Sequence, residues 1–152
     1  MNSWILQGNP KRFDVDSYLG RQTNIVWTVG NTNMQRSIQK NDTVFIWRSD
    51  GFVRGSGGIV AKGLIVDTPK PLQDDAKELW TSKEGLGTSN RVKILLMDVR
   101  LTTEEGMLLR ANLEDDLELS NLWILKWRAS ILYKVSPEHA LSIEKLWKAF
   151  KK

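Results

Sequence analysis

Asn41-Asp42-Thr43-Val44-Phe45-Ile46-Trp47, running on into Arg48-Ser49-Asp50-Gly51, is the stretch whose reading decides the fold. Every position from Val44 to Trp47 is apolar. Successive side chains of a strand point to opposite sides, so a strand apolar at consecutive positions has both faces covered. Immediately downstream, five glycines lie between Gly51 and Gly63, around the apolar groups Ile59, Val60, Leu64, Ile65 and Val66. Glycine inside a strand marks a bulge, a barrel corner or the close approach of another backbone. The expected unit is therefore a central covered strand beside a bent one.

Upstream, Ser3 to Leu6 reads as a first strand closed by the turn signal Gly8-Asn9-Pro10. Asp14 to Leu19 supplies a helical turn at most. Ile25-Val26-Trp27 is a β-branched and aromatic run ended by Gly30, and Met34 with Ile38 fits one face of a short helix that Asn33 would cap. Downstream, Thr68-Pro69-Lys70-Pro71 is a loop, Asp74 to Trp80 gives one or two helical turns, and Arg91 to Leu101 is a long strand. The acidic stretch beyond it reads as helix and loop. Ile131-Leu132-Tyr133 is the last short strand before a helix whose start is marked by Ser136 as cap, Pro137 and Glu138. Ala140, Ile143, Leu146, Trp147 and Phe150 give that helix one buried face. The sum is an α+β domain: a small curved sheet or barrel of about five or six strands flanked by short helices.

A chain of 152 residues suggests one domain over 1–152, either alone or as the N-terminal domain of a longer protein. No apolar run approaches the roughly 20 residues of a membrane-spanning helix, and no secretory leader opens the chain, so the expected location is cytoplasmic, with no membrane partner. With no cysteine and one histidine, His139, thiolate chemistry, zinc fingers and iron–sulfur clusters drop out. Neither a metal site nor a cofactor is expected. Gly55-Ser56-Gly57-Gly58-Ile59-Val60-Ala61-Lys62-Gly63 fails as a phosphate loop, because Ala61 stands where glycine must precede the lysine and Gly63 where Ser or Thr must follow it. His139 falls in the first turn of the last helix, a poor place for a three-residue hydrolase. The pairs Asp74-Asp75, Glu104-Glu105 and Asp115-Asp116 are sequence neighbours that point apart. Binding without catalysis is the expectation.

The formal charge is +4, unevenly spread. Between Glu104 and Glu118 six acids face one base, Arg110, a local charge of −5 that leaves +9 on the remainder. Such a surface suits phosphate on one side, although two solvated patches of opposite sign would look the same. The seven tryptophans, Trp4, Trp27, Trp47, Trp80, Trp123, Trp127 and Trp147, are the compositional anomaly. Indole offers a flat apolar face and one donor. Trp4, Trp47 and Trp147 sit in strands or in the apolar stripe of the last helix and read first as core. Trp27, before the polar run Thr28 to Asn33, and Trp80, before the loop Thr81 to Asn90, stand at element ends and suit a pocket mouth.

Together these residues resemble the EVE domain of the PUA-like superfamily, a relative of the YTH domains that read methylated adenine. The resemblance rests on Ser3-Trp4-Ile5-Leu6 with Asn9-Pro10, on Val26-Trp27 with a nearby Asn, and on Asn41 to Trp47 followed by Ser49 and the glycine-rich strand. Arg91 to Arg100 and the Ser-Pro-Glu helix start continue it over nearly the whole chain. The usual Gly-Asp of the third strand is here Asn41-Asp42. The resemblance implies a PUA-like pseudo-barrel that reads nucleic acid by accepting one flipped, modified base, methylated by expectation, in an aromatic cage. Trp27 and Trp80 would be its walls, with Trp47 a third. Thr28, Asn31, Asn33 and Ser49 would make polar contacts to the base, and Arg48, Arg54, Lys62 and Arg91 would meet phosphates. DNA is favoured over RNA as partner. Such domains also stand at the head of modification-dependent restriction enzymes, which places a fused or associated nucleotide-hydrolysing motor and a role in defence among the expectations. Two other readings stay open: an ASCH-like amidohydrolase acting on a modified nucleoside through Lys62, and a protein-interaction module whose tryptophans are all structural.

Overall fold

The computed structural model describes residues 1–152, the side chain of Glu84 excepted. Eight strands form one mixed sheet: β1 (Ser3–Gly8), β2 (Asn24–Thr28), β3 (Thr43–Arg48), β4 (Gly58–Ile65), β5 (Lys70–Gln73), β6 (Thr88–Val99), β7 (Leu108–Leu109) and β8 (Leu132–Val135). Their order is β2-β6-β4-β3-β1-β8, with β5 also on β6 and β7 on β4. Four helices accompany them: α1 (Val15–Arg21), α2 (Arg110–Glu114), α3 (Trp123–Lys126) and α4 (Pro137–Ala149). The sheet curls into a half-barrel, the α+β PUA-like architecture that the sequence suggested.

β3 has its predicted character: Val44 to Arg48 are all buried. Its alternate residues feed two cores. Val44 and Ile46 join Trp4, Leu6, Trp27 and Ile94 inside the curl, whereas Phe45 and Trp47 join Ile5, Ile59, Leu108 and Trp147 on the other face, under α4. β1 runs parallel to β3, with Ile5 opposite Phe45, and β8 closes the edge antiparallel to β1. The glycine-rich strand is bent as expected. Its register shifts against β3 between Ile46 and Trp47 and against β6 between Lys62 and Gly63. At Gly58 the Leu108 carbonyl comes so close that a Cβ would overlap it, which is why β7 can pair there.

Several details differ from the sequence reading. The strand count is eight because β5 and β7 are two- to four-residue strands with no periodicity of their own. Lys70-Pro71, read as loop, is strand because the ladder of β6 recruits it, Lys70 opposite Arg91. Asp14 to Leu19 gives more than one turn: Asp14 caps α1, its carboxylate accepting from Ser17 N at 3.2 Å. The segment after Asn33 is a 3-10 turn over Asn33–Ser37, with Thr32 rather than Asn33 at its cap position. Ser136 caps α4 as predicted, accepting from His139 N at 3.1 Å. That helix is pinned by Arg100, which stacks 3.8 Å from the Trp147 ring centroid and donates to the Trp147 carbonyl at 2.6 Å.

Candidate functional site

Parallel β1 and β3 both end at one rim of the half-barrel, beside the end of β2. Ser49 N donates to Gly8 O at 2.9 Å, which joins the first two ends. The Trp27 ring, near the end of β2, lies under Gly8, where a Cβ would sit only 2.8 Å from the indole. Trp27 Nε1 donates to Gln7 O at 3.3 Å. Phe13 stands edge-on to Trp27, with centroids 6.5 Å apart, and also meets Tyr18 at 5.1 Å and Trp80 at 4.6 Å. Backbone places Trp80 there: Phe13 and Trp80 form a β-bridge, Asp14 N donates to Leu79 O and Thr81 N to Arg12 O. Asp74 fixes the ring, accepting from Trp80 Nε1 at 2.8 Å. One wall of the rim is therefore an aromatic row Trp27-Phe13-Trp80, brought together from three distant segments.

The row is closed in this structure. Trp27 is 6% exposed. Trp80 is half-buried, with Gly85 pressed so tightly on its six-membered ring that any side chain at 85 would overlap it. Of the expected polar contacts, Thr28 and Ser49 are half-buried at the rim and Asn31 and Asn33 are exposed beyond it. Asn90 reaches across to them, its amide donating to Gly30 O at 3.3 Å. Among the expected cations, Arg54 is exposed in the β3–β4 loop. That loop is organised by Asp50, which accepts from Gly55 N and Gly57 N at 2.9 and 2.8 Å. The Gly55 bond chiefly holds its carboxyl below the usual range, with Arg110 and Arg128 adding to the effect.

Four expected site residues stand elsewhere or do other work. Trp47 is 1% exposed in the core beneath α4, because β3 alternation turns it away from Trp27, and Arg110 lies 5.2 Å above its ring. Arg48 is buried and donates to Asp16, Leu101 O and Ser56 O, so its charge is used inside the fold. Arg91 is 2% exposed and donates to Leu72 O, Gly87 O and Gly85 O. Lys62 pairs with Glu144 of α4 at 2.7 Å, on the sheet face opposite Trp27, where it staples the last helix. A sequence shows that an arginine is present but not that carbonyls will surround it.

Sequence reasoning missed Gly8, Phe13, Asn90 and the exposed Trp123 and Trp127. Gly8 and Asn9 carried a signal as a turn, whereas nothing local marks Phe13. Two open clefts lie away from the row. One of about 730 Å³ runs between Leu19, Arg21, Asn24, Met97 and Glu105, and a second of about 460 Å³ between Asp116, Glu138 and Lys145. Among the described residues no cluster of His, Asp and Glu is placed to hold a metal, and no helix is long and apolar enough to cross a membrane.

Comparisons with solved structures agree with this architecture. A Pseudomonas syringae protein is similar at 21% identity, TM-score 0.67, over 95% of this chain and 99% of that one. The human THYN1 protein, solved in complex with 5-methylcytosine-containing DNA, is similar at 13% identity, TM-score 0.68, over 97% and 98%. The YTH domain of Zygosaccharomyces rouxii MRB1, solved with N6-methyladenosine RNA, is similar at 14% identity, TM-score 0.55, over 99% and 90%. A search of the curated proteins finds no match. The EVE domain family model matches residues 2–146, and the chain belongs to that family.

Proposed function

We propose that the chain is a nucleic-acid reader that accepts one modified base, flipped from its strand, between the aromatic row and the β1–β3 rim. The observation that carries this reading is the row itself: Trp27, Phe13 and Trp80 meet at strand ends beside the half-buried Thr28 and Ser49. Exposed cations, Lys11, Arg54 and Lys83, ring the same end. The similarity to structures solved with methylated DNA and methylated RNA supports it.

The chemistry is binding. Flipping costs a few kcal/mol of unstacking, and each indole platform returns about 1–3 kcal/mol. A buried methyl adds only ~0.8 kcal/mol, so discrimination also needs hydrogen bonds, for which Thr28, Asn31, Asn33 and Ser49 are the proposed partners. Entry requires the Lys83–Gly85 turn to lift from Trp80. DNA is the favoured strand, no turnover occurs within residues 1–152, and any cleavage is left to a fused or associated nucleotide-hydrolysing motor.

The test is fluorescence anisotropy with paired oligonucleotides carrying 5-methylcytosine, N6-methyladenine or the unmodified base. Trp80→Ala should weaken binding of the preferred strand by about 5- to 150-fold while the protein stays folded. Trp147→Ala, by contrast, removes a core side chain and should cost ~3–5 kcal/mol of stability. Trp27 is packed under Gly8, so Trp27→Phe is the informative variant there. If Trp80→Ala binds every strand as wild type does, the row is structural and the reading fails.

A further inference from the structure

Two of the seven tryptophans take no part in either core. Trp123 is 59% and Trp127 52% exposed, at the two ends of α3. Trp127 N donates to Trp123 O at 2.9 Å, which sets the two one helical turn apart, while Ile124 between them is wholly buried. Contiguous exposed apolar surface, especially rimmed by polar groups, marks contact surfaces. The segment Trp123 to Ser130 carries Lys126 and Arg128, both exposed, and no acid.

The segment is also tied to the candidate pocket through one residue. Gln7 accepts from Trp27 Nε1 with its carbonyl, and its side-chain amide donates to Arg128 O at 2.9 Å and Ser130 O at 2.7 Å. Its backbone N donates to Ile131 O at 2.8 Å. Tyr133 adds a 2.6 Å bond from its hydroxyl to Trp127 O. Two exposed indoles, two exposed cations and a backbone held by Gln7 and Tyr133 make a pre-organised surface rather than a floppy loop.

We propose that Trp123 and Trp127, with Lys126 and Arg128, form a stacking platform for the nucleotides that flank the read base on a single strand. This rests on the modified-base reading for its position, and it adds a sequence-tolerant arm to it. Every base has a π-face, so indole stacking takes any base, and the cations meet the intervening phosphates. Asp50 is the acid that Arg128 faces, and it is shared with Arg110; a segment with two cations and no acid of its own fits a polyanion better than a second copy of a chain that is itself basic overall.

The probes are fluorescein-labelled dT12 and the same strand with one central 5-methylcytosine, titrated against the 152-residue chain. The double variant Trp123→Ala/Trp127→Ala should weaken both by the same factor, about 30-fold or more, and leave the ratio between them unchanged. Lys126→Glu/Arg128→Glu should do the same without touching an indole, so the proposal stays testable if the first variant folds poorly. Unchanged dT12 affinity in both variants, at unchanged melting temperature, overturns the platform. So does a wild-type dimer that Trp123→Ala/Trp127→Ala converts to monomer with no change in dT12 binding. If instead Trp80→Ala changes nothing while both α3 variants lose dT12, the pocket reading fails and the platform stands.

Discussion

Arg91 holds Gly85 against Trp80: its Nη2 donates to Gly85 O at 2.6 Å, and Gly85 in turn lies on the Trp80 ring. A guanidinium buried at 2% exposure thus sets the closed position of the turn over the proposed pocket. Its other terminal nitrogen bonds Gly87 O, just after that turn, and Leu72 O in β5.

Arg91→Ala should therefore do two separable things. One buried and two partly buried carbonyls lose their donor, the buried one at about 1–3 kcal/mol, so urea unfolding should show a loss of roughly 1–3 kcal/mol or more. Acrylamide quenching of Trp80, taken as the difference from Trp80→Phe in the same background, should rise. A stability loss with Trp80 still shielded would show that Arg91 does not position the turn.

Asn41 sits at φ 75°, in the left-handed region that most side chains avoid. Asparagine enters that region more readily than other residues that carry a side chain, because its short amide can bond locally. Beside it, Asp42 is buried and accepts from Trp4 Nε1 at 2.9 Å, Gln39 N at 2.9 Å and Asn2 N at 3.1 Å. Asn41→Gly should be neutral or slightly stabilising, whereas Asn41→Val should lose about 1–2 kcal/mol in denaturant titrations.

Tyr18 gives the fold an alkaline limit. Burial, followed by its 2.7 Å bond to Asp75, raises the hydroxyl pKa above its ordinary value near 10. The unfolded chain then loses this proton first. The contribution is complete below pH 10 and drains away as pH rises past it. Tyr18→Phe should flatten the alkaline fall of stability and cost about 1–3 kcal/mol at neutral pH. A residual slope should remain from Tyr133, also raised chiefly by burial.

Salt sorts the cations by role. Binding of a 12-nucleotide strand should weaken steeply with salt, and alanine at Arg54 or Arg128 should each reduce the log–log slope by about 1. Arg48→Ala should lower stability instead, because its guanidinium is spent on Asp16 and two carbonyls. A slope reduced by Arg48→Ala in a fully folded protein would reverse this assignment.

Most elements were legible because their cause is local. The run Val44 to Trp47 imposes a strand covered on both sides, and Ser136-Pro137 starts a helix wherever that segment is placed. The short strands β5 and β7 were not, since only the ladders of β6 and β4 make them strands. The same division runs through the site. Composition and element ends singled out Trp27 and Trp80, but Phe13 joins them only because residues 12–14 and 79–81 lie side by side in the fold.

The sequence by itself determined the alternation of buried positions, the helix caps, the basic excess and the presence of more indoles than a core of this size uses. Only the tertiary structure decided which indole, guanidinium or ammonium group is available to a ligand. Trp47 and Arg91 are consumed inside, Lys62 is paired to Glu144, and Trp123, Trp127 and Arg128 are left outside. The physical reason is that availability depends on what surrounds a side chain. For Arg91 the surroundings are carbonyls from residues 72, 85 and 87, brought together by the pairing of β5 with β6 and by the turn that precedes β6.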